Sequence, residues 1–327
     1  FSPGEENPLA VYVDARAWEG WWYEGAGIYR PVALTVRAPL RFRHLSAFAA
    51  PALREGRWQV DLSATLENGA ESERAYRARA LLLDGAGGQI AACDLGAGRV
   101  TALGEADLKG CLEPGPVALW SPDAPNLYTV ALELCDERGE TVDQQRLRCG
   151  FREIAFTSDR GMLLTGVPLR VNGICCHQDH AGVGVAVSKS IVRYRIQKLK
   201  EMGCNAYRCA HHMPWTYLLE VCDEAGMLVM DENRHFNAME ETLLQVDDMV
   251  LRARNHPCVF LYSLFNEEYW QSERRGYLIA RALARRVRRL DATRPVTAAM
   301  NGGVLTEKNA ADATDVVGMN YFIDDYM

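Results

Sequence analysis

The chain has 327 residues, 48% hydrophobic and 24% charged, with a formal net charge of −7. That is ordinary globular composition, long enough for two or three domains, and the acidic balance gives no electrostatic footprint for nucleic acid. No apolar run approaches the ~18 residues of a membrane-spanning helix.

The chain begins at Phe1, in "FSPGEENPLAVYVDARAW", with neither an initiator Met nor a signal peptide. A chain that opens just before a strand-like run reads as cut rather than begun. Residues 1–37 carry two or three strand-like runs, "LAVYVDA" and "YRPVALTVRA" among them. Two strands do not make a stable domain, so this segment is expected to be the end of a preceding β-sandwich. Residues 38–152 read as all-β. "WQVDLSATLE", "RARALLLDG", "LYTVALELCDE" and "QQRLRCGF" alternate, with turn signals such as "ENGA", "DGAGG", "LEPGP" and "DERGE" between them. A second β-sandwich is the expectation there.

After "FREIAFTSDRGMLLTGVPLRVNG" the texture changes, and apolar strand runs alternate with helical patterns. A helix is expected from an N-cap at Ser188, with Val192, Ile196 and Leu199 on one face and a stop at Gly203. "PWTYLLEVCDEAG" is a second, with Pro214 near N1 and Gly226 closing it. "ETLLQVDDMVLRAR" is a third. "YLIARALARRVRRL" is a fourth, with Ile279, Leu283, Val287 and Leu290 inward. Strands buried on both faces with helices between them mean a parallel sheet. Six such strands are expected between about residues 169 and 321. The ten cysteines contain no CxxC pair, and several sit in apolar runs. Buried reduced thiols are expected, and with them a cytoplasmic location.

Polar residues accumulate after each strand: His177, Arg208 and His211, Asp231 and Glu232, Asn266 and Glu267, Asn301, Asn320 and Tyr321. In a (β/α)8 barrel that C-terminal rim carries the site. An open doubly wound sheet would use the same rim, but no glycine-rich phosphate loop follows the first strand. Glycoside hydrolysis needs two carboxyl groups flanking one bond, one of them protonated at neutral pH. In "SLFNEEYW" (263–270), Glu267 at the mouth of a buried strand beside Asn266 suits that role. Each residue also has a plainer reading. "NEE" would serve as a helix N-terminus with acidic first-turn residues, and Glu268 is expected to be such a charge. "HQDH" (177–180) would be a metal cluster only if its histidines shared a face, and no helix is evident to bring them together. Arg208 and His211 would simply pair with rim acids, Asp231 and Glu232 would form a loop salt bridge, and the arginines of 281–289 would be a solvated helix face.

Taken together, the motifs resemble glycoside hydrolase family 2, and within it the β-galactosidases. "WWYEGAGIYRPV" (21–32) is similar to the end of that family's N-terminal sugar-binding β-sandwich. "LWSPDAPNLYTV" and "CGFREIAF" are similar to the end of its immunoglobulin-like domain. "LRVNGICCHQDH", "KLKEMGCNAYRCAHH", "VCDEAGMLVMDENRHF", "RNHPCVFLYSLFNEE", "RRLDATRPVTAAMN" and "DVVGMNYF" resemble successive barrel segments. The resemblance implies three parts: the tail of a sugar-binding β-sandwich (1–37), an immunoglobulin-like β-sandwich (38–152) and a TIM-barrel catalytic domain (153–327) truncated after about six strands.

It also implies a retaining mechanism with Glu267 as general acid/base. The implied sugar-binding positions are His177, Arg208, His211, Glu232, Asn266 and Tyr321. Arg208 would orient the nucleophile and Tyr321 would hydrogen-bond it. The nucleophile, a glutamate at the end of the seventh strand, is expected beyond Met327, so residues 1–327 alone are expected to be inactive. Some members bind magnesium or sodium near the acid/base. "DENRHF" departs from the magnesium-binding segment of the best-known member, so no metal is carried over. The implied substrate is a carbohydrate, with a homo-oligomer for the full-length enzyme and neither nucleic acid nor membrane as partner. "HQDHAGVGVA" and "FNEE" are more similar to β-galactosidases than to β-glucuronidases or β-mannosidases. A non-catalytic carbohydrate-binding protein and a metal-dependent barrel hydrolase are the readings from other classes.

Overall fold

The computed structural model describes residues 4–14, 16 and 27–322. None of the described residues before 38 forms a strand, which corrects the strands expected in this segment. The run that reads as alternating has no neighbouring ladder, so Val32, Leu34 and Val36 stay exposed. Part of "WWYEGAGIYRPV" lies outside the described residues. From its described end, Arg30 reaches the barrel, donating to the Met213 carbonyl at 3.2 Å.

Eight antiparallel strands then form two facing sheets. One contains β1 (Leu40–Phe42), β2 (Phe48–Arg54), β3 (Arg57–Asn68) and β6 (Glu105–Leu112), with β3 central. The other runs in the order β5 (Gln89–Val100), β4 (Arg74–Leu83), β7 (Tyr128–Cys135), β8 (Thr141–Cys149). Their inward positions, including Phe42, Val60, Leu66, Leu82, Leu132 and Leu134, form one core. A small antiparallel sheet of β9 (Ile154–Thr157), β10 (Gly161–Leu164) and β11 (Val167–Pro168) leads into the barrel.

Six parallel strands follow in unbroken order: β12 (Gly173–Cys176), β13 (Ala206–Cys209), β14 (Leu228–Glu232), β15 (Val259–Asn266), β16 (Val296–Met300) and β17 (Val316–Met319). Helices α1 (Lys189–Glu201), α2 (Thr216–Ala225), α3 (Glu240–Ala253) and α4 (Arg274–Leu290) connect the first five, and a short 3-10 turn precedes β17. This is an incomplete TIM barrel. β15 and β16 are buried at every position, as central strands covered on both faces must be. Ser188 caps α1, accepting from the Ile191 N–H at 3.4 Å, and Val192, Ile196 and Leu199 are its buried face. Pro214 sits two residues before N1, because Trp215 takes the N-cap of α2 and Thr216 is its first residue. On α4 the buried stripe is Gly276, Ala280, Leu283, Ala284 and Val287, so Ile279 and Leu290 lie at its edge rather than within it.

All ten cysteines are free, and Cys149, Cys209, Cys222 and Cys258 are buried.

Sandwich and barrel meet through two residues placed side by side. The Trp120 N–H donates to the Phe151 carbonyl at 2.9 Å. The Trp120 indole enters the barrel core and donates to the Asp223 carbonyl at 3.0 Å, while Phe151 packs in the sandwich against Trp58 and Tyr128. Nearby, α2 ends at Gly226 with φ +65°, and a Cβ there would lie 2.3 Å from the Pro122 carbonyl oxygen. Gly226→Ala therefore faces both left-handed strain and a clash with backbone. We expect a loss of at least ~2 kcal/mol, read as a lower urea midpoint in equilibrium unfolding. Unchanged stability would show that the junction yields without cost.

Candidate active site

The C-terminal ends of the parallel strands bring a cluster of polar side chains together. At their centre is Glu232, the last residue of β14, whose side chain is fully buried. Arg208 of β13 donates from Nε to Glu232 Oε2 at 2.8 Å. His211 Nδ1 lies 2.5 Å from Glu232 Oε1, and Ser263 Oγ donates to Oε2 at 2.8 Å. Burial alone would raise the carboxyl. The hydrogen bond from His211 and the charge and hydrogen bond of Arg208 outweigh it and hold Glu232 below the ordinary glutamate value. His177 stacks edge-on against His211, with ring centroids 5.7 Å apart.

Arg208 continues the network by donating to Asn266 Oδ1 at 2.7 Å. In a regular strand Asn266 and Glu267 would point to opposite faces. Glu267 instead adopts φ +51°, a left-handed conformation uncommon outside glycine. The chain turns at the strand's end, and the two side chains converge. Asn320 Nδ2 spans them, donating to Asn266 Oδ1 at 3.1 Å and to Glu267 Oε1 at 2.6 Å. Asn301 approaches Glu267 Oε2 at 3.4 Å, and the Glu267 N–H donates to the Ala299 carbonyl at 2.8 Å. The Tyr321 side chain, 76% exposed, also hydrogen-bonds Glu267, and that carboxylate raises the phenol. Strained, polar and partly open backbone of this kind concentrates at functional sites.

The structure thus gathers His177, Arg208, His211, Glu232, Asn266, Glu267 and Tyr321 at one place. The plainer reading of Arg208 and His211 also holds, since both pair with an acid. The loop salt bridge expected for Asp231 and Glu232 does not form. Both residues lie within β14, and Asp231 faces away from the site. Among the described residues no side chain pairs with its carboxyl oxygens, and burial raises it well above the usual carboxylate range. Glu268 is not a first-turn charge, because α4 begins only at Arg274. It is half-buried, and desolvation raises it. Sequence reasoning missed Ser263, a small polar residue inside the apolar run "VFLYSLF", whose position there was its only signal. It missed Cys175 as well, whose sulfur lies 3.7 Å from Arg208 Nη1. Both oxygens of Glu232 are already engaged by Arg208, His211 and Ser263, so Glu232 has no free oxygen to offer a cation.

Glu232→Gln removes the negative partner of a buried guanidinium. Breaking such a pair costs about 3 kcal/mol or more, measurable by denaturant unfolding at neutral pH. The sign for pH follows from the depressed value. The Glu232 contribution is complete above the ordinary glutamate value, about 4.3, and is lost as pH falls through the lowered folded one. Wild type should lose stability over that acid range more steeply than Glu232→Gln. Parallel curves would dissociate Glu232 from acid unfolding.

Comparison with known proteins gives the chain's relatives. Residues 156–245 and 236–326 match the family model described as "Glycosyl hydrolases family 2, TIM barrel domain", and residues 44–152 match "Glycosyl hydrolases family 2". β-Galactosidase BoGH2A of Bacteroides ovatus is 30% identical over 370 aligned residues, covering 97% of this chain and 42% of that protein. The crystal structure of a family 2 member from Bacteroides cellulosilyticus superposes with a TM-score of 0.89 at 29% identity, over 95% of this chain and 43% of that one. The β-glucuronidase of Bacteroides uniformis shares the fold, with a TM-score of 0.78 at 24% identity over 86% of this chain and 37% of that one. The chain spans about two fifths of the length of these proteins.

Proposed function

The chain belongs to glycoside hydrolase family 2, and from that premise we propose that it carries the acid/base half of a retaining exo-β-galactosidase active site. Glu267 is the general acid/base. It protonates the glycosidic oxygen as the leaving group departs and later takes a proton from the attacking water. The observation that carries this reading is the Asn320 bridge, which holds the Asn266 carboxamide and the Glu267 carboxylate in one pocket. Asn266 Oδ1 is occupied by Arg208 and Asn320, so its Nδ2 is oriented to donate to a sugar hydroxyl beside the reacting carbon. His177, His211 and Tyr321 face the same space, and Arg208 and Glu232 keep its floor rigid.

A retaining mechanism needs a second carboxylate about 5–5.5 Å from the first. Glu232 is unsuited, since three donors engage its oxygens and leave them poorly nucleophilic. We therefore propose that the nucleophile belongs to the part of the family's length that this chain does not span. The preference for galactosides is supported by the likeness to the Bacteroides ovatus β-galactosidase along almost the whole chain.

Steady-state hydrolysis of nitrophenyl β-D-galactoside and β-D-glucuronide tests the proposal. The arms are residues 1–327 and a version extended far enough to complete a barrel. The extended protein should cleave the galactoside, and residues 1–327 should cleave neither. Glu267→Gln in the extended protein should lower kcat/KM about 10²–10⁴-fold. The loss should shrink for a dinitrophenyl leaving group, which needs little protonation. Undiminished turnover by Glu267→Gln would remove the acid/base assignment. Cleavage of the glucuronide alone would replace the substrate.

A further inference from the structure

A cavity of about 220 Å³ lies between sandwich and barrel. It sits at the N-terminal end of the parallel strands. Arg152 and Arg294, which line it, both donate to the carbonyl of Val259, the first residue of β15, whereas Glu267 follows the last. β2 forms one wall, and the segment after α3 with Arg294 forms the other. Arg148 and Arg152 enter where the chain leaves the sandwich, so four arginines line one cavity. Arg152, Arg254 and Arg294 are 8%, 7% and 7% exposed.

Buried charges are ordinarily paired. Arg294 has Asp291 at 2.6 Å, and Arg148 has Glu224 at 2.9 Å. Among the described residues, Arg152 and Arg254 have no carboxylate at ion-pair distance, and Asp291, whose charge reaches both, is already paired with Arg294. Arg152 donates only to the carbonyls of Pro257 at 2.8 Å and Val259 at 2.7 Å. Arg254 donates to the carbonyls of Leu45 and Ser46, both at 2.8 Å, and of Leu290 at 3.3 Å. Its Nε is shut away from solvent with no acceptor. Burial, together with the neighbouring Arg294 charge, pulls the Arg152 guanidinium down to about 9. Carbonyl dipoles satisfy N–H groups but do not cancel charge. Among the described residues, Glu153 is the only acid lining the cavity, and it is exposed.

We propose that this junction cavity is a binding site for a small free oxyanion of the phosphate class, which supplies the negative charge that Arg152 and Arg254 lack. A guanidinium presents a planar fork of donors matched to such oxygens. Both walls contribute arginines, so a bound anion links sandwich to barrel. It binds the folded state and not the unfolded one, and so stabilises the fold by mass action. The site is independent of the glycosidase reading.

The test is thermal unfolding and isothermal titration with inorganic phosphate in the low-millimolar range, at ionic strength held constant with sodium chloride. Ala50→Glu serves as comparison, because it supplies a carboxylate from the β2 wall. Wild type should gain ~2 °C or more in Tm along a saturating curve and show one phosphate bound per chain. Ala50→Glu should stay folded and lose the response. If Ala50→Glu does not fold, Arg148→Gln at the half-exposed edge should weaken phosphate affinity several-fold. A sugar 6-phosphate at equal concentration separates the sources, and a preference for the ester overturns the free-ion assignment. Three other outcomes also overturn the site. One is the absence of calorimetric binding. Another is an equal rise with chloride alone. The last is an unsaturating rise shared by wild type and variant, which is general exclusion of phosphate from protein surface.

Discussion

The negative charge of Glu232 is buried at the end of a parallel strand, and the rest of the rim is arranged around keeping it ionised. Removing a carboxylate from water costs several kcal/mol. A guanidinium, an imidazole and a hydroxyl answer that cost, and each comes from a neighbouring strand or the loop that follows it. None of the three donors can move without exposing the charge to an unfavourable environment. Arg208 is thereby fixed, and its Nη2 is aimed at Asn266. The orientation of Asn266 then sets where Asn320, and through it Glu267, must sit. A buried ion pair is weak evidence for stability. Here its consequence is positional, because it converts strand order into side-chain geometry.

The left-handed turn at Glu267 completes that conversion. Continued strand geometry would have sent the carboxylate into the helix layer, where α4 packs. The turn has a conformational cost of order 1–3 kcal/mol. It is retained because the Ala299 carbonyl and the carboxamides of Asn301 and Asn320 hold the residue from three directions.

Much of the barrel was legible because its signals are local. Runs buried on both faces, caps at Ser188 and Gly226, and the apolar stripe of α1 all depend on near neighbours in sequence. The short early strands were harder. β5, "QIAACDLGAGRV", carries glycines and alternates weakly, so it did not read as a strand, although it pairs with β4 along its length. The reverse error arose before residue 38, where alternation is present but no ladder partner accompanies it among the described residues. Alternation shows that a segment is able to form a strand, whereas pairing decides whether it does. In the site, residue types at strand ends identified the participants. Sequence did not reveal which carboxylate was engaged by neighbours and which was held at the pocket's edge. It equally left Asp231 beside Glu232 as an apparent partner. One position of alternation puts the two on opposite sides of the sheet, one paired and low, the other raised by burial.

The two ends of the half-barrel treat positive charge differently, and the contrast follows from what each end must do. At the C-terminal rim the Arg208 guanidinium is matched by an anion of the chain itself, so the pocket is set before any ligand arrives. At the sandwich junction, Arg152 and Arg254 reach across to carbonyls of neighbouring segments. Those contacts fix geometry between domains but leave charge in excess. A junction built this way stays neutral only if an anion enters it. A rim built the other way has its guanidinium already paired and leaves the Glu267 carboxylate as the acidic group available to the pocket.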